Sequence, residues 1–156
     1  ANGGFRGQFY VAPGAGNWNT FSGRLNVAEA NIRNAAQSGY AHGASGLLLT
    51  AWGDNGHHPP YATLYPALIL ATAACWGTEI STFELEGAID AVFYKDSESA
   101  SSNGAALCKL GAIDAMLPQP ALPNSFLHSA YFANDSELEL LLKRTTTQRL
   151  ERPLQC

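Results

Sequence analysis

The apolar pattern changes period twice in the first fifty residues. From Gln8 to Val11, Phe9 and Val11 alternate with Gln8 and Tyr10, which predicts a short strand ended by Pro13-Gly14-Ala15-Gly16. Leu25, Ala28, Ile32, Ala35, Ala36 and Tyr40 then recur at helical spacing, with Asn26 placed to cap the helix and Gly43 and Gly46 to end it. The run from Gly46 to Ala51, with Leu47-Leu48-Leu49 at its centre, reads as a second strand. Strand, helix, strand is a βαβ unit, and such units build parallel sheets whose strands are buried on both faces.

Downstream the pattern is helical throughout. Tyr61 to Trp76 is apolar nearly all round, through Leu64, Tyr65, Ala67, Leu68, Ile69, Leu70, Ala73 and Ala74, as expected of a helix inside a larger assembly. From Ser81 or Thr82, the positions Phe83, Leu85, Ala88, Ile89, Val92 and Phe93 keep helical spacing. A polar connection from Asp96 to Asn103 leads to a helix from Ala105 to Leu117, with Leu107, Leu110, Ile113 and Met116 on its apolar face. Pro118, Pro120 and Pro123 make a stiff linker. A short helix, Ser125 to Phe132, precedes a last one from Ser136 to about Leu150, capped by Asn134 or Asp135, with Glu137, Glu139, Lys143 and Arg144 on a solvated face.

Two strands are too few for a stable sheet. The expected fold class is therefore α/β: the last two βα units of a (β/α)8 TIM barrel in residues 1–78, and an all-helical appendage in residues 79–156. The missing N-terminal part of that barrel is the partner the two strands require. The first residue is Ala rather than Met, so the natural start is expected to lie upstream, and Ala1 to Tyr10 carries no signal-peptide pattern.

Composition sharpens this. Of 156 residues, 46% are hydrophobic and only 14% charged, against roughly 25% charged in an average soluble protein. Nine basic and thirteen acidic residues give a net charge of −4 without a basic cluster, which argues against nucleic acid as a partner. The first sixty residues carry only Arg6, Arg24, Glu29, Arg33 and Asp54, and no charged residue falls between Asn55 and Thr78. So few charges point to a surface covered by something else. The apolar run from Leu64 to Trp76 is shorter than the ~20 residues a membrane span takes. Cys75, Cys108 and Cys156 show no CxxC pairing, and Cys75 and Cys108 read as buried thiols in apolar helices.

Candidate chemistry gathers after the two strands. Trp52-Gly53-Asp54-Asn55-Gly56-His57-His58 follows the second strand, and Asn17-Trp18-Asn19 follows the first. An indole offers an apolar face to sugar C–H groups, and a carboxylate accepts paired hydroxyl hydrogen bonds. Trp18 fits either a ligand platform or a lid on the local core. His57 suits a rim contact. Metal binding is not expected at His57-His58, because adjacent histidines point apart and no acidic or thiol partner has ligand spacing. Arg24, a long side chain at a helix start, suits a structural pairing.

Several stretches together resemble the C-terminal part of glycoside hydrolase family 20, the β-N-acetylhexosaminidases, in a bacterial-type branch. They are Asn17-Trp18-Asn19, Gly23-Arg24, Asn26, Asn31-Ile32-Arg33-Asn34-Ala35-Ala36, Gly43-Ala44 and Leu49-Thr50-Ala51-Trp52-Gly53-Asp54-Asn55-Gly56-His57, with Phe83-Glu84, Ala88-Ile89-Asp90-Ala91-Val92-Phe93, Leu110-Gly111 and Pro123-Asn124-Ser125 further on. The resemblance covers roughly Tyr10 to Phe132 and implies a (β/α)8 barrel with these strands as the seventh and eighth. It implies hydrolysis of terminal β-linked N-acetylhexosamines with retention, the substrate's own acetamido oxygen acting as nucleophile. In that family an Asp-Glu pair after the fourth strand does the chemistry. No Asp-Glu dipeptide occurs in this chain, so no catalytic residue and no cofactor is assigned. The substrate-binding residues implied are Trp52, Asp54, Trp18, His57 and Asn17, and the ligand is an N-acetylhexosamine-containing glycan. The chain departs from the branch at Ala51, where Asp is common, and at His58-Pro59, where Trp-Gln is common. Those departures keep open the alternative of a non-catalytic carbohydrate-binding or scaffolding relative.

Overall fold

In the computed structural model the described residues are 7–95, 102–117 and 124–151. Two strands, β1 (Tyr10–Val11) and β2 (Gly46–Leu47), run parallel, with Tyr10 opposite Gly46 and Val11 opposite Leu47. Helix α1 (Leu25–Ala41) joins them, so the predicted βαβ unit is present. The strands are shorter than predicted. Pairing beyond them is irregular, from Ser45 N to Phe9 O (2.7 Å), Leu48 N to Val11 O (2.9 Å), Thr50 N to Pro13 O (2.9 Å) and Ala15 N to Thr50 O (2.8 Å). Pro13 has no N–H to add to this ladder, and among the described residues no third strand pairs with either outer edge. A Cβ on Gly46 would stand 2.7 Å from the ring of Tyr10, so a larger residue there would displace that exposed ring.

The helix ends follow local chemistry. Helix α1 starts at Leu25 with Arg24 as its N-cap and without a side-chain cap bond, so Asn26 lies inside the helix rather than capping it. The chain enters through Gly16 and Gly23, both at positive φ, and a bond from Arg24 N to Gly16 O (2.9 Å) sets the start two residues earlier than Asn26 would. At the other end Ala44 N bonds Gly39 O and Gly43 N bonds Tyr40 O, a Schellman closure with Gly43 left-handed. Helix α2 (Tyr65–Cys75) closes the same way at Gly77. The helix expected from Tyr61 is split, with a 3-10 turn over Tyr61–Leu64 before α2, because Pro66 cannot donate to the preceding turn. Ser81 caps α3 (Thr82–Ile89) with a reciprocal bond from Glu84. That helix runs into a π turn over Asp90–Tyr94. Ser102 caps α4 (Asn103–Met116) and Ser125 caps α5 (Phe126–Phe132). Asn134, not Asp135, caps α6 (Asp135–Glu151), exchanging bonds with Glu137. Most of the polar connection (96–101), the proline linker and Cys156 lie outside the described residues, and so do the side chains of Arg144 and Leu150.

One buried cluster joins both halves of the chain: Ala15, Ala28 and Ile32, then Ala67, Leu70 and Ala71, then Leu85, Ile89 and Cys108. Small residues allow the close crossings. Gly39 lies against Val11, Gly111 against Leu25, and Gly104 against the backbone of Glu86. Asp90 ties the end of α3 to the start of α4, accepting from Ser102 Oγ (2.6 Å) and Gly104 N (2.8 Å). These bonds hold its carboxyl below the usual value. Cys108 is buried, and its thiol is pushed up to about 11 by burial and by Glu86 and Asp90. Cys75 corrects the expectation of a second buried thiol. It is exposed, because α2 buries one face only, through Pro66, Ala67, Leu70 and Ala71. The strands depart from expectation in the same way: Tyr10 is 64% and Leu48 61% exposed, where burial on both faces was predicted. No helix among the described residues is long and apolar enough to cross a membrane.

Candidate functional site

Because β1 and β2 are parallel, the loops leaving their carboxyl ends, residues 12–24 and 48–60, emerge side by side. Their meeting point is Gly14. A methyl group placed on it would lie 2.7 Å from Trp18 Cζ3 and 3.6 Å from Trp52 Cδ1. Gly14 N donates to Asn31 Oδ1 of α1 (2.8 Å), which pins the first loop to the helix behind it. A side chain there would press on the Trp18 ring, while Trp52 stands at ordinary contact distance.

The two tryptophans differ in what they offer. Trp52 is 55% exposed, and its Nε1–H donates to Thr50 Oγ1 at 2.8 Å. Thr50 Oγ1 itself donates to Pro13 O at 2.9 Å, so the polar edge of the indole is tied down and the exposed remainder is apolar. Trp18 is half-buried. The guanidinium of Arg24 lies 4.7 Å from its ring centroid, and Arg24 NH2 donates to Trp18 O at 3.3 Å. One face of Trp18 is thereby occupied, and Arg24 has the structural role expected of it. Burial lowers the Arg24 pKa and nearby Asp114 opposes the shift; a guanidinium stays cationic regardless.

Asn17 and His57 are brought together, with Asn17 Nδ2 and His57 Nε2 at 2.8 Å. As placed, the amide NH2 faces the ring nitrogen and donates to it. Asn17 is 1% exposed, and its Oδ1 is buried without a hydrogen-bond partner. Turning the amide over would leave the NH2 group in that position, so one polar atom is orphaned either way. His57 also stacks on Tyr61, ring centroids 4.9 Å apart. Asp54 lies exposed in the turn between Trp52 and His57, followed by Asn55 and Gly56 at φ 57° and 90°. Of the five predicted residues, Asn17 and His57 are in direct contact, Trp18 and Trp52 both lie near Gly14, and Asp54 stands at the loop tip.

Other residues in this region gave little or no signal in the sequence. Asn19, at φ 48°, accepts from Asn55 Nδ2 (3.0 Å) and donates to Asn124 Oδ1 (2.9 Å). Its carbonyl accepts from Ser125 N at 3.0 Å. Buried Asp114 accepts from Ser125 Oγ (2.8 Å) and Thr20 Oγ1 (3.4 Å). His58 meets His128 of α5, Nδ1 to Nε2 at 3.4 Å, inside a cluster formed with Phe21, Tyr131 and Phe132. His128 is 6% exposed, and burial, with His58 and Arg24, lowers its pKa against the opposing pull of Asp114. The Gly/Asn composition of the two loops could have flagged Asn19 and Asn55 as left-handed positions. Nothing local marks Asp114 or His128. No group of three or more potential metal ligands occurs among the described residues.

Comparison with family models, with curated proteins and with solved structures returned no match.

Proposed function

We propose that this chain is the closing portion of a (β/α)8 glycosidase barrel, and that the loops after β1 and β2 form one wall of a pocket for a terminal β-linked N-acetylhexosamine. The observation that carries this reading is the pair of tryptophans around Gly14 at the carboxyl ends of two parallel strands, the end of such barrels where ligands bind. The lack of a third strand among the described residues and the exposed Tyr10 and Leu48 support a larger sheet completed by strands from elsewhere. The resemblance of the Leu49–His57 stretch to family 20 names the substrate class.

In this reading Trp52 stacks on the pyranose face, Asp54 accepts hydrogen bonds from distal hydroxyls, and His57 lines the rim with buried Asn17 bonded behind it. Trp18 packs behind the wall. Hydrolysis proceeds with retention, through attack by the substrate's acetamido oxygen, and the Asp-Glu pair that orients it and protonates the leaving group belongs to the part of the barrel before β1. The chain by itself binds sugar without turning it over. The second reading, a binding or scaffolding relative, is favoured by the departures at Ala51 and His58, both beside the wall.

The test uses the protein carrying the whole barrel. Release of p-nitrophenol from p-nitrophenyl β-N-acetylglucosaminide falls steeply in Trp52→Ala and in Asp54→Ala. Unchanged rates in both variants reject the site, and a barrel lacking the Asp-Glu pair after its fourth strand rejects the enzyme in favour of the binding relative.

A further inference from the structure

The loop that carries Trp52 and Asp54 is exposed at every residue from 51 to 58 and contains two glycines, Gly53 and Gly56. A segment of that kind loses conformational freedom when it is held in one shape, at a cost of about 1–2 kcal/mol per residue. Side-chain bonds therefore decide whether Trp52 and Asp54 are presented in a fixed arrangement. Beyond the bond from Trp52 to Thr50 and the Asn17–His57 contact, the loop is held at Asn55 and His58, and both anchors lead to the C-terminal segment. Asn55 donates to Asn19. Asn19 is itself clasped by Asn124 through its side chain and by Ser125 through its carbonyl. Ser125 is fixed by Asp114, which also receives Thr20 next to Asn19. His58 rests on His128, one helical turn beyond Ser125.

We propose that the segment from Asn124 to His128 is a positioning brace for the ligand loops, with Asn19 as the relay that joins it to both. The helical appendage is then part of the pocket's architecture, although no residue of the brace touches sugar. Asn19 makes the relay because its amide serves both directions: the carbonyl oxygen accepts from the ligand loop and the NH2 group donates to the brace.

The sugar named as ligand rests on the function proposed above; the bracing does not. Hydrogen exchange followed by mass spectrometry on the intact chain reads the brace directly. In Asn124→Ala, amides in residues 14–20 and 52–60 exchange about fivefold to tenfold faster, the size of one net hydrogen bond, while amides in the middle of α1 and α2 keep their wild-type rates. Asn124→Asp restores protection, since a carboxylate still accepts from Asn19 Nδ2. Asn55→Ala, at an exposed residue that leaves the core untouched, loosens residues 52–60 alone. Wild-type rates in both loops of Asn124→Ala and Asn55→Ala overturn the proposal. So does loosening in Asn124→Ala that Asn124→Asp fails to reverse, or that spreads through α1 and α2. A parallel titration with N-acetylglucosamine, followed by tryptophan fluorescence, separates the two ideas. Weaker binding in Asn124→Ala, recovered in Asn124→Asp, supports both. No binding in the wild type, with the exchange pattern intact, rejects the sugar and leaves the brace standing.

Discussion

The crossing of α3 and α4 makes a prediction with opposite signs at two glycines. Gly104 sits in the first turn of α4, and a Cβ built on it would collide with the carbonyl oxygen of Glu86 and stand 2.9 Å and 3.0 Å from that residue's carbonyl carbon and Cα. These are backbone atoms inside α3, so they cannot swing aside as a side chain would. The helices would have to separate, straining the two bonds by which Asp90 holds the start of α4. Overpacking of this kind costs typically 1–3 kcal/mol, and a backbone obstacle belongs at the upper end. The gain in helix propensity from Gly to Ala, about 1 kcal/mol in a helix interior and less in a first turn, offsets part of it. The expected net loss in Gly104→Ala is about 2 kcal/mol. Gly87, on α3 close to the same crossing, has nothing within 4 Å of its imagined Cβ. There the propensity term acts alone, and Gly87→Ala gains about 0.5–1 kcal/mol. Urea denaturation monitored by circular dichroism should separate the two variants by about 2.5–3 kcal/mol, or roughly 5–12 °C in Tm for a chain of this size. A Gly104→Ala protein as stable as wild type would refute the crossing, and a destabilised Gly87→Ala would show that its open face is covered.

Two further predictions concern titration and reactivity. His128 favours its neutral form in the folded chain, under burial and the charges of His58 and Arg24, with Asp114 pulling the other way. Its contribution to stability is complete above the ordinary histidine pKa of about 6.5 and is lost as pH falls through the depressed folded value, because the unfolded chain takes up the proton first. Denaturation midpoints should therefore decline from pH 7 to pH 5 in the wild type and less so in His128→Phe; equal slopes would remove His128 as the cause. Iodoacetamide at pH 8 should label exposed Cys75 and spare Cys108, whose thiol is buried and pushed up to about 11; peptide mapping that finds equal labelling under native conditions would contradict this packing.

Much of the order of elements was legible in the sequence because it depends on local rules. Ser81 capping α3 and Gly43 closing α1 are decided within a few residues. The βαβ unit followed from a change of period. What the sequence hid depends on distance or on missing neighbours. Asn19 and Asn124 are 105 positions apart and meet only because α4 carries Asp114 back over the first loop. Arg24 took the cap position from Asn26 because two glycines turn the chain earlier than side-chain preference would. Cys75 lies in an apolar helix and still faces outward, since apolarity all round does not say which side finds a partner. Residue types marked Trp52, Asn17 and His57 as candidates, whereas nothing local marked Asn124 or His128, which bond to the same loops.

The unfavourable features of the fold are unevenly distributed, and their location bears on function. The caps of α3 to α6 are satisfied by serines and an asparagine, α1 and α2 close on left-handed glycines, and the π turn ends at left-handed Lys95. The costly features lie after β1 and β2. Asn19 and Asn55 hold left-handed conformations outside any helix closure, and Asn17 buries a carbonyl oxygen without a partner. Leaving such a group unsatisfied costs about 1–3 kcal/mol, and an apolar residue of similar size would remove that cost. Selection for stability alone would favour the apolar residue. A site that must present a polar atom or hold a loop in one shape favours the amide despite its cost. That argument makes Asn17→Leu a discriminating variant. If Asn17 serves packing through His57, that bond outweighs the relief of the orphaned oxygen and the substitution should lower stability, by at most roughly 1 kcal/mol. If it serves the pocket, urea midpoints should hold or rise while binding of N-acetylglucosamine is lost, and retention of both stability and binding would leave the amide without a role in either.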